Sequence, residues 1–137
     1  MSDLPGRLDG MTTTAPVTEL IAFTIDTPDA SALAAFYGAL TGGEVTDYPE
    51  YGVASLEALG STLYFQTVQD YTRPQWPSQQ HPQQFHLDLR TADLDAAVRS
   101  AVELGASVAS EQPNPTMSTV MIDPHGHPFC LCPPKQD

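Results

Sequence analysis

The chain is short of basic side chains and of cysteine. Its 137 residues include 5 Lys and Arg against 17 Asp and Glu, which gives a formal net charge of −12. A charge of this sign repels nucleic-acid phosphates and anionic membrane surfaces, so we expect neither as a partner. Only two cysteines are present, Cys130 and Cys132, and they lie two residues apart. The sequence therefore contains no disulfide framework.

Long apolar runs are also missing. No stretch approaches the roughly 18 apolar residues that a membrane-spanning helix needs, and the N-terminus lacks the apolar segment of a signal peptide. We therefore expect a cytoplasmic protein. Residues 1–16 are polar and rich in Gly, Pro and Thr, which predicts a flexible tail. A hydrophobic share of 41% is typical of a chain with one core and predicts a single domain over residues 17–135.

The pattern within this domain predicts a βαβββ module that occurs twice. Apolar and polar residues alternate over residues 19–26 as in a half-buried strand, a helical spacing follows, and three β-prone runs extend to residue 70. A connector rich in Pro and Gln occupies residues 71–82, and the same series begins again over residues 83–135. A shift of 64 residues aligns Asp29 with Asp93 and Ala32 with Ala96. We predict an α+β fold of two pseudo-symmetric modules, each needing the other to close its core.

Three motifs carry a resemblance to a known superfamily. They are the series Asp29, Phe36-Tyr37 and Gly42 after the first strand, HLDLRTADLDAA from His86, and DPHGHPF from Asp123. With these motifs the chain resembles the vicinal oxygen chelate superfamily over about Thr18–Pro134, most closely its glyoxalase-like and bleomycin-resistance branch. The resemblance implies a cupped mixed sheet around a small-molecule pocket, and a homodimer. Members include metal-dependent lyases and isomerases, ring-cleaving dioxygenases, and metal-free proteins that bind antibiotics and confer resistance.

The same resemblance implies which residues would bind a metal ion. Where the superfamily binds one, each module supplies a residue near the start of its first strand and a carboxylate on its last strand. With the 64-residue shift these positions fall on Ala22, Gln66, His86 and Cys130. Ala22 has no donor atom and Cys130 replaces the usual Glu, so no metal is the favoured prediction. A divalent Zn, Fe, Ni or Mn held by Gln66, His86 and Cys130 remains the alternative.

Candidate site residues lie mainly on the strands. His86, Asp88 and Arg90 share one face of a predicted strand, which either lines the cup or faces solvent. In the first case His86 could act as a general base whose imidazole Asp88 orients. The predicted ligand-binding residues are Tyr64, Gln66, Trp76, His86, Phe129 and Cys130. For the aromatic residues among them, packing in the core is the alternative.

The segment DPHGHPFCLC, Asp123–Cys132, collects two histidines and two cysteines. We interpret it as a turn with solvent-facing His125 and His127, followed by a strand that carries two half-buried thiols, and not as a chelating cluster. Glu57 is an isolated acid on a β-prone segment, and an outward surface position is favoured over a role as a ligand.

The sequence thus predicts a protein that binds a small organic molecule in the cup between the modules, without the superfamily's usual metal site. The alternative is a metal-dependent lyase, isomerase or dioxygenase of the same superfamily. Whether any reaction is catalysed is left open, because one fold can carry unrelated activities.

Overall fold

The computed structural model describes residues 15–136, which form two βαβββ modules. Module one consists of β1 (Phe23–Thr27), α1 (Ala30–Thr41), β2 (Glu44–Tyr48), β3 (Val53–Ala58) and β4 (Ser61–Thr67), with a short 3-10 helix at Pro49–Tyr51. Module two consists of β5 (Leu87–Arg90), α2 (Leu94–Glu103), β6 (Ser107–Val108), β7 (Thr119–Ile122) and β8 (Pro128–Cys132). The predicted α+β fold of two such modules is confirmed. The tail predicted at residues 1–16 lies almost wholly outside the described residues.

Each module folds into a four-stranded mixed sheet. Sheet A has the strand order β1-β4-β3-β2, and sheet B has the order β5-β8-β7-β6. The first strand of each module runs parallel to the last, and the other neighbours are antiparallel. Strands β1 and β5 are therefore edges of their own sheets. Within residues 15–136, neither helix has the length and apolar character that crossing a membrane requires.

The two helices begin at equivalent caps. The Asp29 carboxylate accepts a hydrogen bond from the Ala32 N–H at 3.1 Å, and Asp93 accepts one from Ala96 at 3.1 Å. Such caps satisfy a backbone donor that the first helical turn leaves unpaired. Helix α1 ends at Gly42, whose φ of 73° is a left-handed conformation that glycine adopts without strain. The two modules thus share the same type of N-terminal helix cap, as an internal repeat predicts.

Helix α1 closes the core over both sheets. The Tyr37 ring stacks on Phe65 of β4 with centroids 6.0 Å apart, and it meets Phe129 of β8 edge-on at 5.9 Å. All three side chains are fully buried. Because one aromatic cluster draws on both sheets, neither module buries its core alone, as the repeat predicts.

The strand register corrects the correspondence between the modules. Thr24 of β1 pairs with Tyr64, and Asp88, which lies 64 residues after Thr24, pairs with Cys130. Cys130 therefore corresponds to Tyr64, and the alignment of Cys130 with Gln66 is wrong by two residues. Module two carries two additional residues between its helix and its last strand, and a constant shift cannot follow this insertion.

Candidate functional site

The turn before β8 is half-buried at His125 and fully buried at His127, whereas the sequence predicts that both histidines face solvent. His127 and Asp123 are 0% and 1% exposed. One Asp123 carboxylate oxygen accepts the N–H groups of His125 at 2.8 Å and His127 at 3.0 Å, and the other accepts the Tyr37 hydroxyl at 2.7 Å. The carboxylate thus ties the turn to helix α1, and the prediction of a solvent-facing His127 is wrong.

Both turn histidines also contact module one. The Nε2 atom of His127 lies 2.8 Å from the carbonyl oxygen of Asp26, so it donates the proton in that bond. The Nδ1 atom of His125 lies 2.6 Å from the Thr27 hydroxyl. Burial lowers the pKa of His125, and the Asp123 carboxylate opposes this effect in part. These histidines join the two modules.

The connector is fastened to the same turn. The Tyr71 hydroxyl donates to the carbonyl oxygen of His125 at 2.9 Å, and burial raises the pKa of Tyr71 to about 12. The Arg73 guanidinium donates to the carbonyl oxygen of Pro124 at 2.7 Å. These two bonds hold the start of the connector on module two. The connector then brings Trp76 to sheet B.

A pocket of about 190 Å³ lies over the open face of sheet B, on the side away from the core. Cys130 and Val120 pair across β8 and β7, so their side chains share this face and form the pocket floor. The predicted ligand-binding residues Trp76, His86 and Cys130 all contribute to the wall. The full lining consists of Trp76, Gln83, His86, Pro113, Asn114, Ser118, Val120, Pro128 and Cys130.

The other predicted ligand-binding residues lie elsewhere. Phe129 is 0% exposed and packs against Tyr37 in the core, so its assignment to the pocket wall is wrong. Neighbouring residues of a strand point to opposite faces, and Cys130 already occupies the open face. Tyr64 and Gln66 belong to sheet A, and neither lines this pocket.

His86 and Cys130, which line the pocket, lie close to Asp88, which is not among the lining residues. One ligand atom from each of His86, Asp88 and Cys130 lies within 4.8 Å of the other two. The Nε2 atom of His86 is 3.6 Å from an Asp88 carboxylate oxygen, which is too long for a hydrogen bond, whereas Nδ1 is 3.1 Å from the Gln83 side-chain oxygen. Burial, and then the Asp88 charge, raise the pKa of the Cys130 thiol. Gln83, and not Asp88, therefore orients the imidazole.

Sequence reasoning missed Gln83, Ser118 and Val120. Val120 lies on the same sheet face as Cys130, its partner in β8, and Ser118 immediately precedes β7, so both positions become visible only when the pairing of β7 with β8 is known. Gln83 follows a connector whose composition predicts no regular structure, so nothing in the pattern distinguishes it from its neighbours. Glu57 is exposed, in agreement with the predicted surface position.

The superfamily's metal positions do not fit a metal shared between the modules. The strand register puts Ala22 and Tyr64 at the module-one positions, where Ala22 has no donor atom and Tyr64 is not an ordinary ligand of zinc. Gln66 donates its own amide to the carbonyl oxygen of Thr67 at 3.3 Å and does not line the pocket around Cys130. The predicted set of Gln66, His86 and Cys130 is thus not brought together in this pocket.

Two βαβββ modules with mixed sheets, joined around one core and leaving a pocket on an open sheet face, define the vicinal oxygen chelate fold. The family model of the glyoxalase-like domain matches residues 22–132. The chain belongs to this glyoxalase-like family, as the sequence motifs predict. No curated protein sequence matches the chain.

Solved structures share the fold at low identity. A glyoxalase/bleomycin resistance protein/dioxygenase family enzyme from Burkholderia phytofirmans is 19% identical, with a TM-score of 0.65 over 85% of this chain and 98% of its own. The fosfomycin resistance protein FosX from Listeria monocytogenes is 14% identical, with a TM-score of 0.64 over 87% of this chain and 95% of its own. A hypothetical protein from S. aureus is 17% identical, with a TM-score of 0.64 over 88% of this chain and all of its own.

Proposed function

We propose that the chain binds a compact organic molecule in the pocket over sheet B, without the two-module metal site of its superfamily. The observation that carries this proposal is the composition of the pocket. The Trp76 ring offers contact area above an apolar floor to which Val120 and Pro128 contribute, and His86 and Gln83 offer hydrogen bonds. Ligand sites combine an apolar lining with a few polar groups in this way.

Size and charge narrow the ligand class. A volume of about 190 Å³ is below the roughly 300–1,000 Å³ of sites for drug-sized molecules, which favours a smaller ligand. The net charge of −12 and the Asp88 carboxylate beside His86 oppose an anionic ligand. A neutral or cationic planar molecule satisfies both conditions, because a planar group stacks on the Trp76 ring.

Benzamidine, benzamide and benzoate test these conditions, since they have nearly the same shape and carry positive, zero and negative charge. We expect calorimetric titration to show saturable binding of benzamidine and benzamide and much weaker binding of benzoate. Strongest binding of benzoate would contradict the charge argument. Failure of all three, and of a library of comparably small planar compounds, would contradict the proposed function.

Trp76→Ala tests where the ligand binds. We expect this variant to weaken benzamidine binding by about 5- to 150-fold, the loss of roughly 1–3 kcal/mol of aromatic contact. Tyr51→Ala is the matched control, because Tyr51 is 73% exposed and lies on module one. Equal losses in the two variants would place the ligand outside this pocket.

A metal-dependent lyase, isomerase or dioxygenase is the second candidate, favoured by the proximity of His86, Asp88 and Cys130. With Nδ1 engaged by Gln83, the Nε2 lone pair of His86 is available to bind such a metal. Activity towards a substrate that requires added Zn²⁺ and is lost in His86→Gln would support this candidate. Equal activity of the wild type and this variant would contradict it.

We propose a homodimer as the assembly. Among the described residues, 15–136, no strand pairs with the outer side of β1 in sheet A, and the apolar side chains of Leu20, Ile21 and Phe23 beside it are exposed. Such edges are ordinarily covered by another chain or another element. Sedimentation equilibrium should give the mass of a dimer, and Phe23→Lys should shift the equilibrium to the monomer. A wild-type monomer at all accessible concentrations would contradict this assembly.

A further inference from the structure

We infer that His86, Asp88 and Cys130 form a binding site for one zinc ion, built from module two alone. Their ligand atoms lie within 4.8 Å of one another, and the separation of His86 Nε2 from the Asp88 oxygen is 3.6 Å. Tetrahedral zinc, with bonds of about 2.0–2.3 Å, holds its ligand atoms about 3.3–3.6 Å apart. The His86 and Asp88 side chains are 44% and 66% exposed, so small rotations can complete the geometry.

The proton arrangement on His86 supports the same site. The Gln83 oxygen can only accept a hydrogen bond, so Nδ1 carries the imidazole proton and Nε2 presents its lone pair. Metal-binding histidines ordinarily donate their second N–H to an oxygen in this way, which fixes the ring. This is an observation independent of the distances among the three ligand atoms.

The donor atoms select the metal. A thiolate and an imidazole bind zinc well, whereas magnesium and calcium prefer oxygen atoms. Within residues 15–136 the ion pair that Asp88 forms is with His86, so its charge is not neutralised by Lys or Arg. Binding converts the Cys130 thiol to a thiolate and releases its proton to solvent. Three protein ligands leave the fourth zinc position for water or a pocket ligand.

This site keeps His86 and Cys130, the module-two positions of the metal site that the superfamily resemblance implies, and differs from that site in its remaining ligands. It uses no residue of module one, and Asp88 supplies the carboxylate that the strand register places opposite Cys130. The inference does not rest on the organic ligand of the proposed function, because metal binding is measured without one. The zinc site can therefore be disproved without disproving the organic-ligand pocket, and the reverse also holds.

Cobalt titration of the reduced, chelator-treated full chain tests the site, since Co²⁺ substitutes for zinc and absorbs light. We expect saturation at about one Co²⁺ per chain, with the near-ultraviolet band of a cobalt–thiolate bond and the visible bands of four-coordinate cobalt. Added Zn²⁺ should abolish these bands. The inference would be overturned if no thiolate band appeared, or if the bands saturated at one Co²⁺ per two chains.

Variants assign the ligands. Cys130→Ser should lose the thiolate band, whereas Cys132→Ser, the matched control two residues further along β8, should retain it. Asp88→Asn and His86→Gln should each weaken cobalt binding, and Gln83→Ala should do so by about 10- to 100-fold through the freed imidazole. Asp88 is exposed, so its variant should retain the wild-type melting curve. Loss of the band in Cys132→Ser, or unchanged affinity in Asp88→Asn, would contradict the assignment.

Discussion

The Tyr37 hydroxyl donates a hydrogen bond of 2.7 Å to Asp123, a residue 86 positions further along the chain and in the other module. Both side chains are buried. The same carboxylate accepts two backbone N–H groups of its own turn, from His125 and His127. One carboxylate therefore joins the first helix to the turn that precedes the last strand.

Tyr37→Phe tests this bond. We expect it to lower the free energy of unfolding by about 1–3 kcal/mol, because an oxygen of the buried Asp123 carboxylate loses its donor. Urea unfolding followed by circular dichroism measures the change. Tyr51→Phe removes a hydroxyl from a 73% exposed tyrosine and should change stability little. Equal stabilities of the two variants would contradict the role of the bond.

His125 makes stability depend on pH. Its pKa is lowered in the folded protein, first by burial, so below the ordinary histidine pKa of about 6.5 the unfolded chain binds a proton that the folded chain rejects. Stability from this group is therefore present above pH 6.5 and is lost as the pH falls towards the lower folded pKa. Compared with His125→Gln, the wild type should lose stability between about pH 7.5 and pH 5. Parallel pH profiles in urea unfolding would contradict this prediction.

Gly126 allows the connector to approach the turn. Its φ is +99°, and a Cβ atom there would collide with the Arg73 side chain. Gly60→Ala is the control, because Gly60 has a φ of +78° but open space around it. Both variants should lose about 1 kcal/mol from backbone strain, and Gly126→Ala should lose about 1–3 kcal/mol more from the collision. Thermal unfolding distinguishes them, and equal losses would mean that Arg73 moves aside freely.

Phe129→Leu separates the core from the pocket. Phe129 packs against Tyr37 and is fully buried, so truncation should cost about 1–3 kcal/mol of stability. Benzamidine affinity should stay unchanged, because the side chain points away from the pocket. Trp76→Ala should instead weaken benzamidine binding and change the free energy of unfolding little. Loss of benzamidine affinity in folded Phe129→Leu would return this residue to the pocket wall.

Periodicity and repeat were sufficient to predict the fold. The alternation of β1, the helical spacing of α1 and the capping residues Asp29 and Asp93 are local features, and a sequence records them directly. The sequence predicts Trp76, His86 and Cys130 among the ligand-binding residues, and these three line one pocket. This part of the candidate site followed from strand alternation and from the connector's position between the modules.

The remaining features depend on contacts between distant segments. A two-residue insertion in module two shifted the correspondence of Cys130 from Tyr64 to Gln66, and no local pattern marks the insertion. The burial of His127 depends on Asp26 and Tyr71, which lie far away in the sequence. A polar turn ordinarily faces water, so pattern reasoning favoured the exposed position.

The fastening of the connector also constrains how two copies of this chain can associate. A dimer in which the chains exchanged their second modules would have to break the bonds of Tyr71 to His125, Arg73 to Pro124 and Tyr37 to Asp123. A dimer that meets along the free edge of β1 keeps all three. Assembly by the second route needs no prior unfolding, so its rate should rise with chain concentration and not wait for the opening of a monomer.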